Sequence, residues 1–446
     1  MRTNANRRGR ARLWALAALA ALPLAACDTL LDVDDPDVAN PGSVENEAAL
    51  PTVLAGAVGD FQVALAGTGG ASNGNAEGLL NLSGIFTDEF QYASTFPTRL
   101  EIDQRSIQPT NSTADLLFRN LQRARAAAAR SAALHLRFHP ASAGTVESYA
   151  LEGLSLVLLG ETYCNGVPIS TFTADGQSQY GPPQTNAQLF ETAVAKFDTS
   201  LSFAGGALAT SAAAQLARVG KARALLDLDR PAEAAAAVAG VPTAFTYLVR
   251  GSENTNRQNN GTFALQQLGR RVTATNLEGG NGLPYRASGD PRVAQLRGTG
   301  SLASSDQGVP LWLQQKYTSR TATVVAASGV EARLIEAEAA LRAGDVATFL
   351  AKLNEARAPL PALADPGTAA AREELLFRER AFALWLTAHR LGDLRRRVRQ
   401  YGRGSETVFP TGAYYRGGAY GPDVNFPIPV TEENNPEFQQ CLDRSA

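Results

Sequence analysis

Histidine and cysteine are scarce in this sequence, with only three of each among 446 residues. The histidines (His135, His139 and His389) lie far from the cysteines along the chain, and no CxxC pair occurs, which argues against a Cys/His metal site. Walker, HExxH and SxxK motifs are also missing. The sequence therefore indicates neither an enzyme nor a cofactor.

Long basic runs and long apolar runs are missing as well. The formal net charge is −2. A mildly acidic chain without an extended Lys/Arg cluster argues against nucleic acid as a partner. After residue 26, no apolar run approaches the roughly 20 residues that a membrane-spanning helix needs, so we expect no such helix in the mature protein.

What the sequence does contain is a secretory signal. Five arginines precede an apolar run at residues 13–24, which continues into Leu24-Ala25-Ala26-Cys27. A basic region before a short apolar region is typical of a signal peptide, and the last four residues resemble the lipobox of bacterial lipoproteins. We predict removal of residues 1–26 and acylation of Cys27, palmitate included. The alternative is an ordinary cleavage site beside an incidental cysteine.

Cleavage before Cys27 leaves an acidic leader and two further cysteines. The formal net charge falls to −7 because the five arginines are removed, and residues 27–47 form the lipidated leader. Exported proteins meet oxidising conditions, in which free thiols seldom persist. With Cys27 acylated, the only possible pairing is a disulfide between Cys164 and Cys441. The alternative is two separately buried thiols.

Helical periodicity dominates the rest of the chain. Apolar residues recur at helical spacing in residues 48–66, 116–136, 145–162 and 186–203. Two helix–turn–helix patterns, at residues 212–240 and 331–357, resemble the tetratricopeptide repeat. Residues 241–328 are rich in Gly, Asn and Thr, and residues 401–446 in Gly, Pro, Tyr and Asn. The sequence predicts a mostly α-helical, repeat-like scaffold with an irregular loop and short-strand insert and a C-terminal strap.

Three motifs, in this order and spacing, resemble the SusD/RagB family of nutrient-binding outer-membrane lipoproteins. They are Asp290-Pro291-Arg292, then Glu379-Arg380 followed by Asp393-Leu394-Arg395, and finally Phe426-Pro427-Ile428-Pro429 followed by Asn435-Pro436. The likeness covers nearly the whole mature chain. The family usually has a Gly and a Trp where this chain has Ala388/His389 and the aromatic-poor Leu391-Gly392, and Cys164 and Cys441 are not a general family feature. Neither departure undermines the expected fold.

The resemblance implies one SusD-like domain over residues 48–446. It also implies a lipid-anchored protein of the outer membrane, exposed at the cell surface, which acts as the lid of a TonB-dependent (SusC-like) transporter. The ligand would be an oligomeric nutrient, either an oligosaccharide or a peptide, which is bound and delivered without cleavage. A competing hypothesis is a repeat-type scaffold lipoprotein that organises outer-membrane complexes, with a bare helical groove and a minimal insert.

Two stretches offer aromatic rings beside polar groups, as a carbohydrate site requires. The candidate ligand-binding residues are Tyr92, Phe96, Arg99, Tyr285, Trp312 and Tyr317. Each ring could instead pack in the core. The charged residues of the second motif, from Arg380 to Arg395, are expected to form ion pairs that hold the strap or the insert. A hydrolase would need two carboxyls facing each other across a sugar, whereas Asp88 and Glu89 are merely adjacent in sequence.

Lipid attachment at Cys27 can be tested by substitution. Cys27→Ser removes the sulfur that carries the first acyl chain, so the variant should leave the membrane fraction, and the wild-type protein should show an acyl mass increment on its N-terminal peptide. Membrane association that survives the substitution, together with an unmodified wild-type peptide, would contradict the assignment.

Overall fold

Helices make up most of the chain where its structure is described. The computed structural model describes residues 45–70, 77–173, 177–300, 303–306 and 308–446, and the part from Leu50 to Ala446 forms one compact unit. The helices are α1 (Leu50–Ala66), α2 (Leu79–Phe86), α3 (Pro97–Asp103), α4 (Ser112–Phe138), α5 (Ala143–Thr162), α6 (Asn186–Ser202), α7 (Ala212–Asp227), α8 (Pro231–Val238), α9 (Gly261–Phe263), α10 (Gly329–Arg342), α11 (Val346–Arg357), α12 (Ala369–Ala383) and α13 (Arg390–Tyr401).

The predicted helical segments and both helix–turn–helix pairs are confirmed. The pairs are α7 with α8, and α10 with α11. The sequence did not predict the short helices α2 and α3. The signal peptide, Cys27 and the leader up to residue 44 lie outside the described residues.

Local sequence sets where the long helices begin. Asn111 accepts hydrogen bonds from the backbone N–H groups of Thr113 and Ala114, both at 3.0 Å, and so caps α4. Thr185 and Gln188 form a capping box at the start of α6. Such side chains satisfy backbone donors that have no partner within the helix.

Glycines let α5, α6 and α7 approach closely. A Cβ atom on Gly153 of α5 or on Gly220 of α7 would lie 2.9 or 2.4 Å from the ring of Phe197 in α6. Gly160 makes the same allowance for Phe190, where the distance would be 2.6 Å. Both rings are buried. The glycines leave room for them, so α5, α6 and α7 pack closely around these two side chains.

The expectation that no stretch after residue 26 approaches membrane-spanning length was wrong. Residues Glu47–Ala66 are long and apolar enough to cross a membrane by length and composition. Phe61, Ala64 and Leu65 on this stretch are buried in the protein core, which is the usual environment of an apolar helix in a folded domain.

The short strands form five antiparallel pairs. They are β1 (Phe90–Tyr92) with β7 (Val272–Ala274), β2 (Val167–Pro168) with β5 (Pro183–Gln184), β3 (Thr171–Phe172) with β4 (Ser178–Gln179), β6 (Thr246–Val249) with β10 (Val324–Ser328), and β8 (Gln295–Arg297) with β9 (Trp312–Gln314). Three of these pairs involve the insert, so the predicted short-strand character of residues 241–328 is confirmed. The π-helix Ala264–Leu268 follows α9 within the same insert.

The C-terminal strap is extended and tied to the end of α5, as predicted. Phe426 exchanges backbone hydrogen bonds with this end: its N–H donates to Thr162 and its carbonyl accepts from Cys164, both at 2.9 Å. The predicted disulfide is present, with the Cα atoms of Cys164 and Cys441 5.7 Å apart. Phe426 and Ile428 are fully buried, and the strap is therefore part of the core.

A buried ion pair joins three distant segments of the chain. Arg390 on α13 donates two hydrogen bonds to Asp88, at 2.6 and 2.8 Å. The same carboxylate accepts from the backbone N–H of Leu283 in the insert, at 2.9 Å. Asp88 follows α2, so this carboxylate ties the N-terminal loop and the insert to the C-terminal helix. Its burial is compensated by four hydrogen-bond donors, the fourth being the hydroxyl of Tyr285.

Two further arginines hold the insert and the end of α5. Arg292 of the Asp-Pro-Arg motif donates to Asp290 and, at 2.8 Å, to Glu379 on α12. Arg395 donates to three carbonyls at the end of α5, those of residues 160, 161 and 163, at 2.8 to 3.1 Å. The ion pair expected for Arg395 was therefore wrong: its guanidinium caps a helix C-terminus.

Asp393 on α13 is a buried carboxylate that pairs with two arginines. Burial favours the neutral acid, but the guanidinium groups of Arg380 and Arg396 outweigh it and hold the pKa of Asp393 well below its ordinary value. Both guanidinium groups donate hydrogen bonds to this carboxylate. The predicted ion pairs of Arg380, Arg390 and Asp393 are confirmed.

Glu89 lies next to the Asp88 pair without a cation of its own. One carboxylate oxygen accepts from the backbone N–H of Leu386 at 2.8 Å, and the other is buried without a partner among the described residues. Burial raises the pKa of Glu89 from its ordinary 4.5 to about 7, although this N–H and the charge of Arg390 oppose the rise. Between these pH values the folded protein holds a proton that the unfolded chain has released, so stability falls as pH rises through this window.

The substitution Glu89→Gln tests whether the stability of the protein falls as pH rises through this window. The amide keeps an acceptor for the Leu386 N–H and removes the buried charge, so the variant should match the wild type near pH 5. At pH 8 it should exceed the wild type in free energy of unfolding by up to about 3 kcal/mol. Denaturant unfolding at both pH values measures this, with Glu253→Gln, at an exposed position, as the control. A stability difference that is the same at both pH values would contradict the assignment.

Candidate functional site

Three segments that are far apart in sequence meet at one side of the insert. They are residues 90–99 of the N-terminal loop, the described residues between 270 and 317 of the insert, and residues 413–420 near the C-terminus. The N–H of Ala93 donates to the carbonyl of Arg271 at 2.7 Å, and the N–H of Asp306 donates to the carbonyl of Ala93 at 3.0 Å. Arg416 donates to the carbonyl of Ser94 at 2.9 Å and pairs with Asp306.

Trp312 is held at the start of β9 by its own backbone. Its N–H donates to the hydroxyl of Thr273 on β7 at 2.8 Å, and its carbonyl accepts from the side chain of Gln266 in the π-helix at 3.1 Å. Gln266 also accepts from the N–H of Gln314 at 2.9 Å. The Trp312 side chain is half-buried, so a fixed backbone presents a partly accessible indole ring.

Two arginines lie against the ring of Trp312. The guanidinium carbon of Arg286 is 3.9 Å from the ring centroid, and that of Arg297 is 5.2 Å away. Arg297 is the cross-strand partner of Trp312 in the β8–β9 pair and is exposed. Arg286 donates to Gln295 at 3.0 Å. Both contacts lie within the range of cation–π attraction.

Phe96 repeats this arrangement on the N-terminal loop. It is 44% exposed and immediately precedes α3. The guanidinium carbons of Arg99 and Arg271 lie 5.0 and 4.9 Å from its ring centroid. Arg99 is buried and pairs with Glu77, whereas Arg271 has no carboxylate partner in the described part of the chain. With 44% of its surface exposed, Phe96 is accessible to a ligand.

Strand β7 connects the two rings. Arg271, beside Phe96, immediately precedes β7, and Thr273 on β7 accepts a hydrogen bond from Trp312, so the two residues that contact the rings are two positions, about 7 Å, apart along the chain. We call Phe96, Arg271, Arg286, Arg297 and Trp312 the aromatic–arginine surface. It is built from two chain segments that the Asp88 ion pair fixes to the scaffold.

Polar groups lie next to this surface. Gln91 on β1 pairs in register with Thr273 and donates to Glu278 at 3.4 Å, and the hydroxyl of Tyr420 also donates to Glu278. Burial raises the pKa of Glu278 above its ordinary value. Amide, hydroxyl and carboxyl groups in this arrangement can exchange hydrogen bonds with sugar hydroxyls.

The C-terminal tyrosines hold residues 413–420 in place. The hydroxyl groups of Tyr414 and Tyr415 both donate to the same oxygen of Asp103, at 2.8 and 2.6 Å. Burial, and then the charge of Glu278, raise the pKa of Asp103 to about 7. This cluster orders the segment that packs beside the N-terminal loop.

Four of the six predicted ligand residues are buried. Tyr92, Tyr285 and Tyr317 are at most 1% exposed, and Arg99 is 6% exposed. The hydroxyl of Tyr285 donates to Asp88, and that of Tyr317 donates to the carbonyl of Leu386 at 2.8 Å. Their ring faces are covered by protein, so we do not retain them in the candidate site. Trp312 and Phe96 remain as accessible rings, and Arg99 supports Phe96 from below the surface.

Sequence reasoning missed Arg271 and Arg297. Nothing in the sequence links Arg271 to Phe96, because their contact depends on the pairing of β1 with β7. Arg297 could have been found only through the β8–β9 register, which places it opposite Trp312. The sequence feature that could have suggested the β8–β9 pairing is the pair of short apolar stretches around residues 296 and 312.

Asp88 and Glu89, the carboxyls that a hydrolase would need, are buried. Asp88 and Glu89 are each 1% exposed and are engaged in the contacts described above. Among the described residues, no group of three or more His, Cys, Asp or Glu side chains is placed to hold a metal ion. The accessible chemistry of the site is aromatic, cationic and hydrogen-bonding.

Comparison with known proteins shows similarity in structure alone. No family model matches the chain, and no curated protein matches it. Among solved structures, a SusD superfamily protein from Parabacteroides distasonis is 14% identical and aligns with a TM-score of 0.66 over 88% of this chain and 98% of that one.

Two more structures give similar alignments. A SusD superfamily protein from Bacteroides vulgatus is 14% identical, with a TM-score of 0.61 over 89% of this chain and 99% of that one. The surface glycan-binding protein A from Bacteroides uniformis is 13% identical, with a TM-score of 0.62 over the same shares of the two chains. The chain therefore has the SusD-like fold, with a tetratricopeptide-repeat-like helical scaffold and an insert of loops and short strands.

Proposed function

We propose that this protein is a lipoprotein that binds an oligosaccharide at the aromatic–arginine surface without cleaving it. The observation that carries the proposal is the pair of accessible rings, Phe96 and Trp312, each with two guanidinium groups close to it. Aromatic faces and neighbouring hydrogen-bonding side chains are the groups that hold sugars. The glycan-binding protein from Bacteroides uniformis, which shares the fold, supports the same class of ligand.

The proposal extends to location and partner. Acylation at Cys27 would anchor the chain stably, since several acyl chains on one residue hold a protein where a single chain would not. The protein would face the cell surface at the outer membrane and deliver its ligand to a TonB-dependent, SusC-like transporter. This part rests on the lipobox and on the family resemblance of the sequence.

The scaffold alternative is less well supported. It predicted a bare helical groove and a minimal insert, whereas the insert contributes five of the ten strands in the described residues and carries Trp312. It also gives no reason for the buried contacts that fix the insert, namely Arg390 with Asp88 and Arg292 with Glu379. A peptide ligand remains an outcome of the screen described next.

Substitution of the two rings tests the proposal. A glycan array and a peptide library first identify the tightest ligand of the purified protein, and titration calorimetry then measures its dissociation constant. Trp312→Ala and Phe96→Ala should each weaken binding by about 1–3 kcal/mol, on the scale of base–aromatic stacking. Tyr180→Ala removes an equally exposed ring, 48% accessible, on the β4–β5 connection, and it should bind like the wild type.

Folding must be checked in parallel, because Trp312 also packs partly against the core. Thermal unfolding of each variant separates loss of the fold from loss of the ligand contact. Folded Trp312→Ala and Phe96→Ala proteins that both keep wild-type affinity would exclude this surface as the site.

A further inference from the structure

The arginines beside Trp312 have no carboxylate partner. Arg286 donates to the neutral side chain of Gln295, and Arg297 has no hydrogen-bonded side-chain partner in the described part of the chain. Elsewhere on the insert, Arg292 pairs with Asp290 and Glu379, and Arg257 pairs with Asp60. What distinguishes Arg286 and Arg297 is that both guanidinium groups lie over the same aromatic ring without an acid beside them.

These two cations are also close to each other. Both guanidinium carbons lie within 5.2 Å of the same ring centroid, so they cannot be more than about 9 Å apart. Burial and the charge of Arg297 lower the pKa of Arg286 below its ordinary value. Like charges at this separation repel.

A negatively charged ligand would relieve this repulsion. Guanidinium groups bind carboxylate and sulfate groups with two parallel hydrogen bonds, and these are stronger than bonds between neutral groups. Since Arg297 is exposed and Arg286 is half-buried, a charged group on a sugar could bind both while the sugar contacts Trp312. Neutral sugars would leave both cations uncompensated.

We propose that the ligand of the aromatic–arginine surface is an acidic oligosaccharide, with carboxylate or sulfate groups that bind between Arg286 and Arg297 beside Trp312. This inference rests on the proposed function and specifies its substrate class. It predicts discrimination by charge: removal of the charge from an otherwise identical sugar should weaken binding roughly tenfold or more, the value of one charge-assisted hydrogen bond. Raised salt should weaken binding of the acidic form.

Affinity electrophoresis of the full-length protein in detergent tests the proposal. The gels contain acidic polysaccharides (polygalacturonate, alginate, chondroitin sulfate) or neutral ones (fully methyl-esterified polygalacturonate, laminarin, galactomannan). The wild type should be retarded by at least one acidic polymer and not by the neutral ones. Arg286→Gln/Arg297→Gln should lose this retardation. The control Arg123→Gln/Arg137→Gln removes the same charge from exposed positions of α4 and should keep it.

The outcomes separate the two proposals. Retardation by neutral polysaccharides alone, or acidic retardation that persists in the folded Arg286→Gln/Arg297→Gln protein, would overturn the acidic specificity and leave glycan binding intact. Retardation by none of the six polymers would overturn both. Circular dichroism of the two double variants confirms that each is folded.

Discussion

The contact between Arg390 and Asp88 organises this molecule. A carboxylate and a guanidinium that are both almost fully buried are costly to desolvate, and the cost is offset only because Asp88 also accepts from Leu283 and Tyr285. Removal of one partner from such a pair costs about 3–5 kcal/mol. The loop after α2, the insert and α13 can therefore take up their positions only together.

The position of the ligand surface follows from this constraint. Once Asp88 is fixed, β1 begins two residues later and pairs with β7, and β7 in turn holds Trp312 through Thr273. Phe96 lies in the same loop, so the Asp88 contact also fixes its position. Rings that lie more than 200 residues apart in sequence thus come to one side of the protein without belonging to one element. The helical scaffold contributes rigidity, and the insert contributes the chemistry.

The helices could be predicted from sequence because their signals are local. Cap residues such as Asn111 and Thr185 and the helical spacing of apolar residues lie within a few positions of each other. The site could not be predicted in the same way, because burial of Tyr285 and Tyr317 depends on partners far along the chain, Asp88 and Leu386. The alternation of β1, in which Phe90 and Tyr92 face the core and Gln91 does not, spans three residues, too few for a sequence pattern to reveal.

The most direct measurement is a crystal structure of the protein with the oligosaccharide that it binds most tightly. We expect sugar rings within about 4 Å of Trp312 and Phe96, with hydrogen bonds from the neighbouring arginines. A sugar bound elsewhere, for instance along the helices α5 to α8, with the aromatic–arginine surface left empty, would contradict it.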